Sequence, residues 1–256
     1  MTQEQRLLYL IRYLLQESGQ FSLFPIPTAL SEQKKLFRSL VNIREPKEIS
    51  SAFIEIQDAY LREEIAEKGV TDGNSLPFAE EKISVWQGDI TLLKCSAIVN
   101  AANSAMLGCF VPCHKCIDNA IHTYAGVELR AECAEIMRKQ GCTEKNGDAK
   151  ITGAYNLPSD YILHTVGPIV NGVLTDKHRK LLAECYKSCL TLAEEHDIKS
   201  LAFPCISTGE FHFPNKPAAE IAVEVVRNYL KKSSIERVIF NVFRDEDRKI
   251  YEKLLG

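Results

Sequence analysis

The feature that most constrains the fold of this chain is an alternation of short strands and longer helices beyond residue 80. Runs rich in β-branched and aromatic residues predict strands at 82–87, 96–100, 161–166, 201–206 and 237–242. Amphipathic stretches between and after them predict helices at 116–139, 176–196, 216–232 and 246–255. Strands joined through helices need crossover connections, so we expect a largely parallel sheet that is covered on both faces. Ligand sites in such sheets lie beyond the carboxyl ends of the strands.

The residues before this alternation carry a helical pattern throughout. Apolar residues recur at helical spacing in three stretches, at residues 7–15, 36–41 and 53–65. Ser31 is predicted to open the second helix and Pro46 to close it. The turn-rich residues 71–78 predict a boundary between a helical N-terminal extension, residues 1–75, and a second domain, residues 76–256.

The composition argues against several classes of function. Lys and Arg total 31 against 34 Asp and Glu, so the net charge of −3 argues against a broad basic surface for nucleic acids or anionic membranes. The N-terminal residues lack the pattern of a signal peptide, and no apolar run approaches the roughly 18 residues of a membrane span. The nine cysteines are an odd count in a chain without a secretory signal, which indicates reduced thiols. We therefore expect a cytoplasmic monomer without a nucleic-acid or membrane partner.

Three cysteines and one histidine fall within eight residues, in the pattern Cys109-x4-His114-x-Cys116 with Cys113 between them. Two thiolates and one imidazole suit zinc, and three protein ligands would leave a fourth position open for catalysis. A closed structural site would use Cys113 as a fourth ligand. A third interpretation is a redox dithiol of Cys113 and Cys116, whose pKa would be lowered at a helix N-terminus. Ordinary buried free cysteines are the alternative without chemistry.

Two further sets of residues follow predicted strands or begin a predicted helix. In Ser207–Phe211, small residues and a glycine would let backbone N–H groups approach a phosphate, although a tight strand-to-helix turn explains them equally well. Asp118 and His122 are four residues apart, so they share one helix face. They are either an acid or base pair beside a metal, or a helix-start aspartate and a half-buried histidine. His164 alternates within a strand, which is typical of a core histidine.

Several of these segments, in this order, resemble a macrodomain over residues 80–256. The resemblance rests on Trp86-Gln-Gly-Asp-Ile90, Asn100-Ala-Ala-Asn-Ser104, Tyr155-Asn-Leu-Pro158, Tyr161-Ile-Leu-His-Thr-Val-Gly-Pro168 and Ile206-Ser-Thr-Gly209 with Phe213-Pro214. Ordinary macrodomains carry a run of glycines after the Asn-Ala-Ala-Asn turn. Here the cysteine cluster replaces that run, and this replacement, with the helical N-terminal extension, closely resembles the zinc-dependent macrodomains of bacteria and some fungi.

The resemblance implies a three-layer α/β/α macrodomain with a mixed, largely parallel central sheet, preceded by the N-terminal helical extension. It also implies an ADP-ribose site. Asp89 would accept a hydrogen bond from the adenine amino group beside the Ile90 N–H, and Asn103 would hold the distal ribose. The diphosphate would be wrapped by Ser207, Thr208, Gly209, Glu210 and Phe211, with Phe211 against the distal ribose. The implied zinc ligands are Cys109, His114 and Cys116, whereas Cys113 occupies a variable position and is left out.

The activity implied by the resemblance is removal of mono-ADP-ribose from modified protein, with aspartate as the linkage. We hypothesise that Zn²⁺ activates a ribose hydroxyl or a water, and that Asp118 and His122 orient a ligand or shuttle a proton near Asn103. Related genes often neighbour a sirtuin-type ADP-ribosyltransferase and a lipoyl-carrier-like target protein. The alternatives are a non-catalytic ADP-ribose reader braced by a structural zinc, and a thiol redox protein.

Overall fold

The computed structural model describes residues 1–20 and 25–256 of the chain. The described residues of its N-terminal part form three helices, α1 (Gln3–Glu17), α2 (Leu30–Ile43) and α3 (Ser51–Lys68). Helix α1 begins with a capping box, in which Thr2 and Gln5 exchange side-chain hydrogen bonds with each other's backbone N–H. The Ser50 side chain caps α3 in the same way, by accepting a hydrogen bond from the N–H of Phe53.

Several boundaries in this part differ from the sequence prediction. Helix α2 begins at Leu30 after Ala29, without a side-chain cap, so the prediction that Ser31 opens it was wrong. The continuous helical pattern predicted to residue 75 stops earlier, because residues 71–72 form a short strand and residues 73–75 a 3₁₀ turn. The part of that pattern at residues 21–24 lies outside the described residues.

The described strands form one sheet of six strands and one short separate pair. The strands are β1 (Thr71–Asp72), β2 (Ile83–Gln87), β3 (Leu93–Lys94), β4 (Ala97–Ala101), β5 (Ala149–Gly153), β6 (Tyr161–Thr165), β7 (Ser200–Phe203) and β8 (Arg237–Val242). Strand order in the larger sheet is β2-β8-β7-β4-β6-β5, and β1 pairs with β3. All pairs are parallel except β5 with β6. The mixed, largely parallel sheet is therefore confirmed.

The remaining helices are α4 (Ile117–Ala125), α5 (Val127–Gln140), α6 (Asp176–Glu195), α7 (Asn215–Leu230) and α8 (Asp245–Leu255). The single helix predicted over residues 116–139 is in fact two helices, because Gly126 adopts φ +108° between them. The strand predicted to residue 206 ends at Phe203, since Pro204 has no N–H to donate to a neighbouring strand. None of the described helices is long and apolar enough to cross a membrane.

Side chains alternate between the two faces of the sheet and bury a different core on each. Ile98 and Ile239 face α4 and α5, whereas Val99 and Phe240 face α6, α7 and α8. The three N-terminal helices bury a third apolar cluster, which reaches Val127 at the start of α5. The result is a three-layer α/β/α unit on which the N-terminal helices pack, beside α4.

Candidate active site

One cleft of about 800 Å³ lies at the carboxyl ends of the parallel strands, where the fold class places a ligand. Its walls are the loops that follow β2, β4, β7 and β8, together with the start of α4. The site residues predicted from the sequence line it with one exception, and these are Asp89, Ile90, Asn103, Cys109, His114, Cys116, Asp118, Ser207, Thr208, Gly209, Glu210 and Phe211. The exception is His122, which lies behind Asp118.

One wall is the anion loop, residues 205–213, between β7 and α7. Its conformation is fixed by its own backbone: His212 N–H donates to Gly209 at 3.0 Å and Phe213 N–H donates to Ser207 at 2.9 Å. The N–H groups of Gly209, Glu210 and Phe211 have no partner within the described chain. Consecutive free N–H groups of this kind bind anions well. The space beside the Gly209 Cα is open to 4 Å, so a ligand can approach this backbone.

Ser207 is held in an unusual position in the anion loop. Its φ is +65°, and its Oγ atom is buried without a hydrogen-bond partner in the described residues. A Cβ atom on Gly167, in the loop after β6, would lie 2.0 Å from this Oγ. Gly167 therefore allows Ser207 to pack tightly against the neighbouring loop, which explains the glycine at that position.

Another part of the cleft wall is the turn at Asp89. Its Oδ1 atom accepts hydrogen bonds from the N–H and the Oγ1 of Thr91, at 3.0 and 2.7 Å, which fixes the orientation of the carboxylate. The Asn241 side chain donates to the Gly88 carbonyl at 2.9 Å and ties the end of β8 to this turn. Phe243 follows β8 and exposes 77% of its surface on the same wall, so it is an apolar contact that the sequence analysis did not assign.

The cysteine cluster lies in the metal loop, residues 109–116, which leads into α4. The Sγ atoms of Cys109 and Cys116 and a ring nitrogen of His114 all lie within 4.8 Å of one another. Cys109 Sγ is 3.6 Å from His114 Nδ1. Two sulfur donors and one imidazole nitrogen at this spacing fit a zinc ion. The three side chains also line the cleft, so an ion held here would be accessible to a ligand.

Cys113 points out of the cluster. Its Sγ atom lies 3.2 Å from the Ser39 hydroxyl and 3.4 Å from the Lys35 carbonyl, on α2. This geometry argues against the closed four-ligand site. The dithiol interpretation is disfavoured as well. It predicts a lowered thiol pKa, whereas burial raises the pKa of the Cys116 thiol to about 12.

Asp118 is the buried carboxylate of the site, at the start of α4. Its Oδ1 accepts a hydrogen bond from the Asn100 amide at 2.8 Å, and its Oδ2 accepts one from the Asn103 amide at 3.1 Å. The Asn103 amide also donates to the Gly108 carbonyl at 3.1 Å. Burial raises the pKa of Asp118 to about 6, despite these two donors. Asn103 thus joins the turn after β4, the Asp118 carboxylate and the residue that precedes the metal loop.

His122 shares a helix face with Asp118, as the spacing predicted, but the two side chains form no hydrogen bond. The closest atoms, His122 Nε2 and Asp118 Oδ1, are 3.6 Å apart. Neither ring nitrogen of His122 has a partner in the described residues, and burial lowers its pKa well below the usual value. Gly108, at φ +79°, packs against the ring, where a Cβ would lie 2.7 Å away. His122 is therefore a neutral side chain behind the cleft.

A second group of potential metal ligands, His122, Cys133 and His164, lies deeper in the core. Both ring nitrogens of His164 are already in contact with protein groups: Nδ1 with the Asn100 amide at 3.2 Å and Nε2 with the Thr152 hydroxyl at 2.9 Å. This group is a packed polar cluster, and His164 is the satisfied core histidine that the strand pattern indicated.

Glu210 was expected to help wrap the diphosphate, and the structure adds the direction of its side chain. Its carboxylate Oε1 lies 3.7 Å from His114 Nε2, so it points toward the metal loop. Only the backbone N–H of Glu210 belongs to the anion-binding surface.

Like Phe243, Arg38 lines the cleft although no sequence pattern identified it. It reaches the cleft from α2.

Comparisons with known proteins identify the family of this chain. A sequence profile described as Macro domain matches residues 99–222. A protein of Treponema medium named protein-ADP-ribose hydrolase is 52% identical, and the alignment covers 100% of both chains. The chain belongs to the macrodomain family. A protein with the same name from Staphylococcus aureus (strain MSSA476) is 48% identical to this macrodomain, over 97% of this chain and 94% of the relative.

A solved structure extends the similarity to the fold of this macrodomain. The Trypanosoma brucei macrodomain in complex with ADP-ribose superposes with a TM-score of 0.67 and 29% identity, over 86% of this chain and 95% of the other. The ADP-ribose named in that complex is a molecule with an adenine, a diphosphate and two riboses.

Proposed function

We propose that this macrodomain is a zinc-dependent protein mono-ADP-ribosyl hydrolase that acts on aspartate-linked ADP-ribose. The observation that carries the proposal is that one cleft is lined both by the free N–H groups of the anion loop and by the donor atoms of Cys109, His114 and Cys116. A further support is that highly similar relatives are named protein-ADP-ribose hydrolases.

The ligand would lie along the cleft with its diphosphate on the anion loop. The free backbone N–H groups of the anion loop would donate hydrogen bonds to the phosphates, so no excess of Lys or Arg is needed. The fixed Asp89 carboxylate would accept from the adenine amino group at one end. The distal ribose would then extend toward Asn103 and the metal loop.

Cys109, His114 and Cys116 would hold the zinc ion, which supplies Lewis-acid chemistry at the ribose end of the cleft when it is bound. The chain's own contribution is to fix the groups around that point. Asn103 and Asn100 hold the Asp118 carboxylate in one orientation, where it can accept a hydrogen bond from a ligand hydroxyl. The buried ring of His122 packs behind Asp118 and keeps water away from that side of the carboxylate.

The alternative is a reader that binds ADP-ribose without releasing it from protein. The deciding experiment is release of labelled ADP-ribose from an aspartate-linked ADP-ribosylated protein, with zinc content measured on the same samples. We expect release by the wild type and loss of both zinc and release in Cys116→Ala. Cys113→Ser is the matched control, because its thiol faces α2, and it should retain both. Tight ADP-ribose binding without release by the zinc-loaded wild type would establish the reader.

A lipoyl-carrier-like protein is the target that we propose from the resemblance, modified by a sirtuin-type ADP-ribosyltransferase. Such a carrier, ADP-ribosylated on aspartate, should be a faster substrate than an unrelated protein with the same linkage. Equal rates on both would show that the enzyme reads the ADP-ribose group alone.

A further inference from the structure

One face of helix α2 lies against the metal loop. Lys35, Arg38, Ser39 and Asn42 are spaced as neighbours on a helix surface, and each contacts this loop. The Asn42 side chain accepts a hydrogen bond from the Cys113 N–H at 2.9 Å, and Arg38 Nη2 donates to the His114 carbonyl at 2.9 Å. The contacts from Lys35 and Ser39 are those to the Cys113 thiol. The N-terminal helices thus touch the loop at two consecutive residues, one of which is a potential zinc ligand.

Arg38 reaches the rest of the loop through Asn119, a fully buried residue of α4. The Arg38 guanidinium donates two hydrogen bonds to Asn119 Oδ1, at 3.1 and 2.7 Å. The Asn119 amide in turn donates to the Val111 carbonyl at 3.0 Å and, more weakly, to the Cys109 carbonyl at 3.4 Å. Because its oxygen is occupied by Arg38, the amide nitrogen of Asn119 must face the loop.

Asn119 also contacts the last residue of the loop. Its backbone N–H donates to Cys116 Sγ at 3.4 Å, so this sulfur caps α4. Arg38 and Asn119 together therefore contact all three potential ligand residues, Cys109, His114 and Cys116.

The loop needs external support because it contains no regular secondary structure, and Cys113 adopts φ +53° within it. Ordering a flexible loop around a metal costs conformational entropy for each backbone residue that is fixed. A loop that is already held in place binds the metal without that cost.

We propose that Arg38 is a positioning residue, through which the N-terminal helices hold the metal loop ready to bind its ion. The proposal rests on the function proposed above, because it takes Cys109, His114 and Cys116 as the metal ligands. It gives the N-terminal helices a role in the site itself, beyond packing on the α/β/α unit.

The test is the zinc affinity of the full chain, measured by competition with a chromophoric chelator. We expect Arg38→Ala to weaken zinc binding by roughly 10- to 100-fold, the range for residues that orient metal ligands. Arg38→Lys, which can donate to the His114 carbonyl but cannot also bridge Asn119, should fall between Arg38→Ala and wild type. The absorption spectrum of the Co²⁺-loaded variants should shift, since a loosened loop changes the geometry of the sulfur donors.

Lys34→Ala is the matched control. Lys34 is on the same helix and pairs with the buried Glu64 of α3 at 2.6 Å, away from the metal loop. We expect this variant to be destabilised while its folded form binds zinc as tightly as wild type. If Arg38→Ala does not fold, Arg38→Lys carries the test: weaker zinc binding than wild type with a shifted Co²⁺ spectrum supports the positioning role, and wild-type affinity with an unchanged spectrum overturns it.

Two failures can be told apart. A wild type that binds zinc normally and an Arg38→Ala variant with the same zinc affinity and Co²⁺ spectrum would overturn the positioning role and leave the proposed function intact. A wild type that binds no zinc would instead overturn the metal site on which both proposals depend.

Discussion

The Oε1 atom of Glu210 lies 3.7 Å from the Nε2 atom of His114, so the anion loop and the metal loop meet at these two side chains. His114 presents its other ring nitrogen, Nδ1, to the Cys109 sulfur. The carboxylate is thus on the side of the imidazole that a zinc ion would not occupy. Carboxylates in this position hold the ring of a metal ligand in one orientation. The anion loop and the metal loop therefore form one continuous wall at this point.

Glu210→Gln should act in opposite directions on the two ligands. We expect zinc affinity to fall only by roughly two- to fivefold, because Glu210 is well exposed and an ion pair at the surface contributes little free energy. Affinity for ADP-ribose should rise at low salt, because a negative charge near the diphosphate is removed. Isothermal titration calorimetry at two salt concentrations measures both effects. Glu224→Gln makes the same charge change on α7, and weaker ADP-ribose binding by Glu210→Gln alone would mean that the carboxylate contacts the ligand.

Gly167→Ala should damage the anion loop. The new Cβ would lie 2.0 Å from Ser207 Oγ and 2.9 Å from Ile206 Cγ2, so the loop must shift. Overpacking of this kind costs about 1–3 kcal/mol of unfolding free energy, and we expect ADP-ribose affinity to fall at least tenfold. Urea unfolding and calorimetry test the two effects. Gly153→Ala, where the nearest atom is 4.0 Å away, should leave the affinity unchanged; equal affinities for Gly167→Ala and wild type would contradict the tight packing.

Asn103→Ala should separate activity from ligand binding. It removes the hydrogen bonds to Asp118 and to the Gly108 carbonyl, and also the acceptor for the Ala105 N–H. Misplacement of a reacting group by about 1 Å can cost roughly 100-fold in rate, and we expect a loss of kcat of that order. The diphosphate contacts are untouched, so ADP-ribose affinity should change much less. A loss that appears only in ADP-ribose affinity would show that Asn103 simply binds the ligand.

His164 should make the fold less stable in mild acid. Burial lowers its pKa to about 3, whereas the unfolded chain protonates histidine near pH 6.5. Between these values the unfolded state binds the extra proton, so stability falls as pH falls from about 6.5. The buried neutral His164 should therefore lower the free energy of unfolding by roughly 2 kcal/mol as the pH falls from 7 to 5. His122 acts in the same direction, and Asp118, with its raised pKa, acts in the opposite one.

Comparison with a variant isolates the histidine from these neighbours. Urea unfolding of wild type and His164→Gln should show that the variant loses about 2 kcal/mol less between pH 7 and pH 5. His178→Gln, at the exposed start of α6, is the control and should follow wild type. An identical pH dependence in wild type and His164→Gln would contradict a neutral buried histidine.

Much of the fold could be predicted because its signals are local. Runs of β-branched and aromatic residues predicted the five parallel strands, and amphipathic stretches predicted the helices between them. The mixed sheet, which the family resemblance implied, is confirmed. Strand β5 was missed because its sequence Ala-Lys-Ile-Thr-Gly is short and pairs only at the sheet edge. The break at Gly126 was missed because the apolar pattern continues through it, and only the backbone conformation separates α4 from α5.

Site residues that are close in sequence could also be predicted, whereas those brought together only by tertiary packing could not. Cys109, Cys113, His114 and Cys116 are close in sequence, so their spacing indicated a donor cluster, and the family resemblance then left Cys113 out of it. Arg38 could not be found from the sequence, because it meets Asn119 across 81 residues through the packing of α2 on α4. The direction of the Glu210 side chain also depends on how two loops approach one another, which no local pattern encodes.

The most direct test of the proposed hydrolase is reconstitution with zinc. The full chain is stripped with a chelator, returned to increasing equivalents of Zn²⁺, and assayed for release of ADP-ribose from an aspartate-linked ADP-ribosylated protein. ADP-ribose affinity is measured on the stripped and loaded samples as the control for folding. We expect release to be absent in the stripped protein and to rise linearly to a plateau at one equivalent of zinc. Release by the stripped protein at the same rate as by the zinc-loaded protein would contradict the zinc-dependent mechanism.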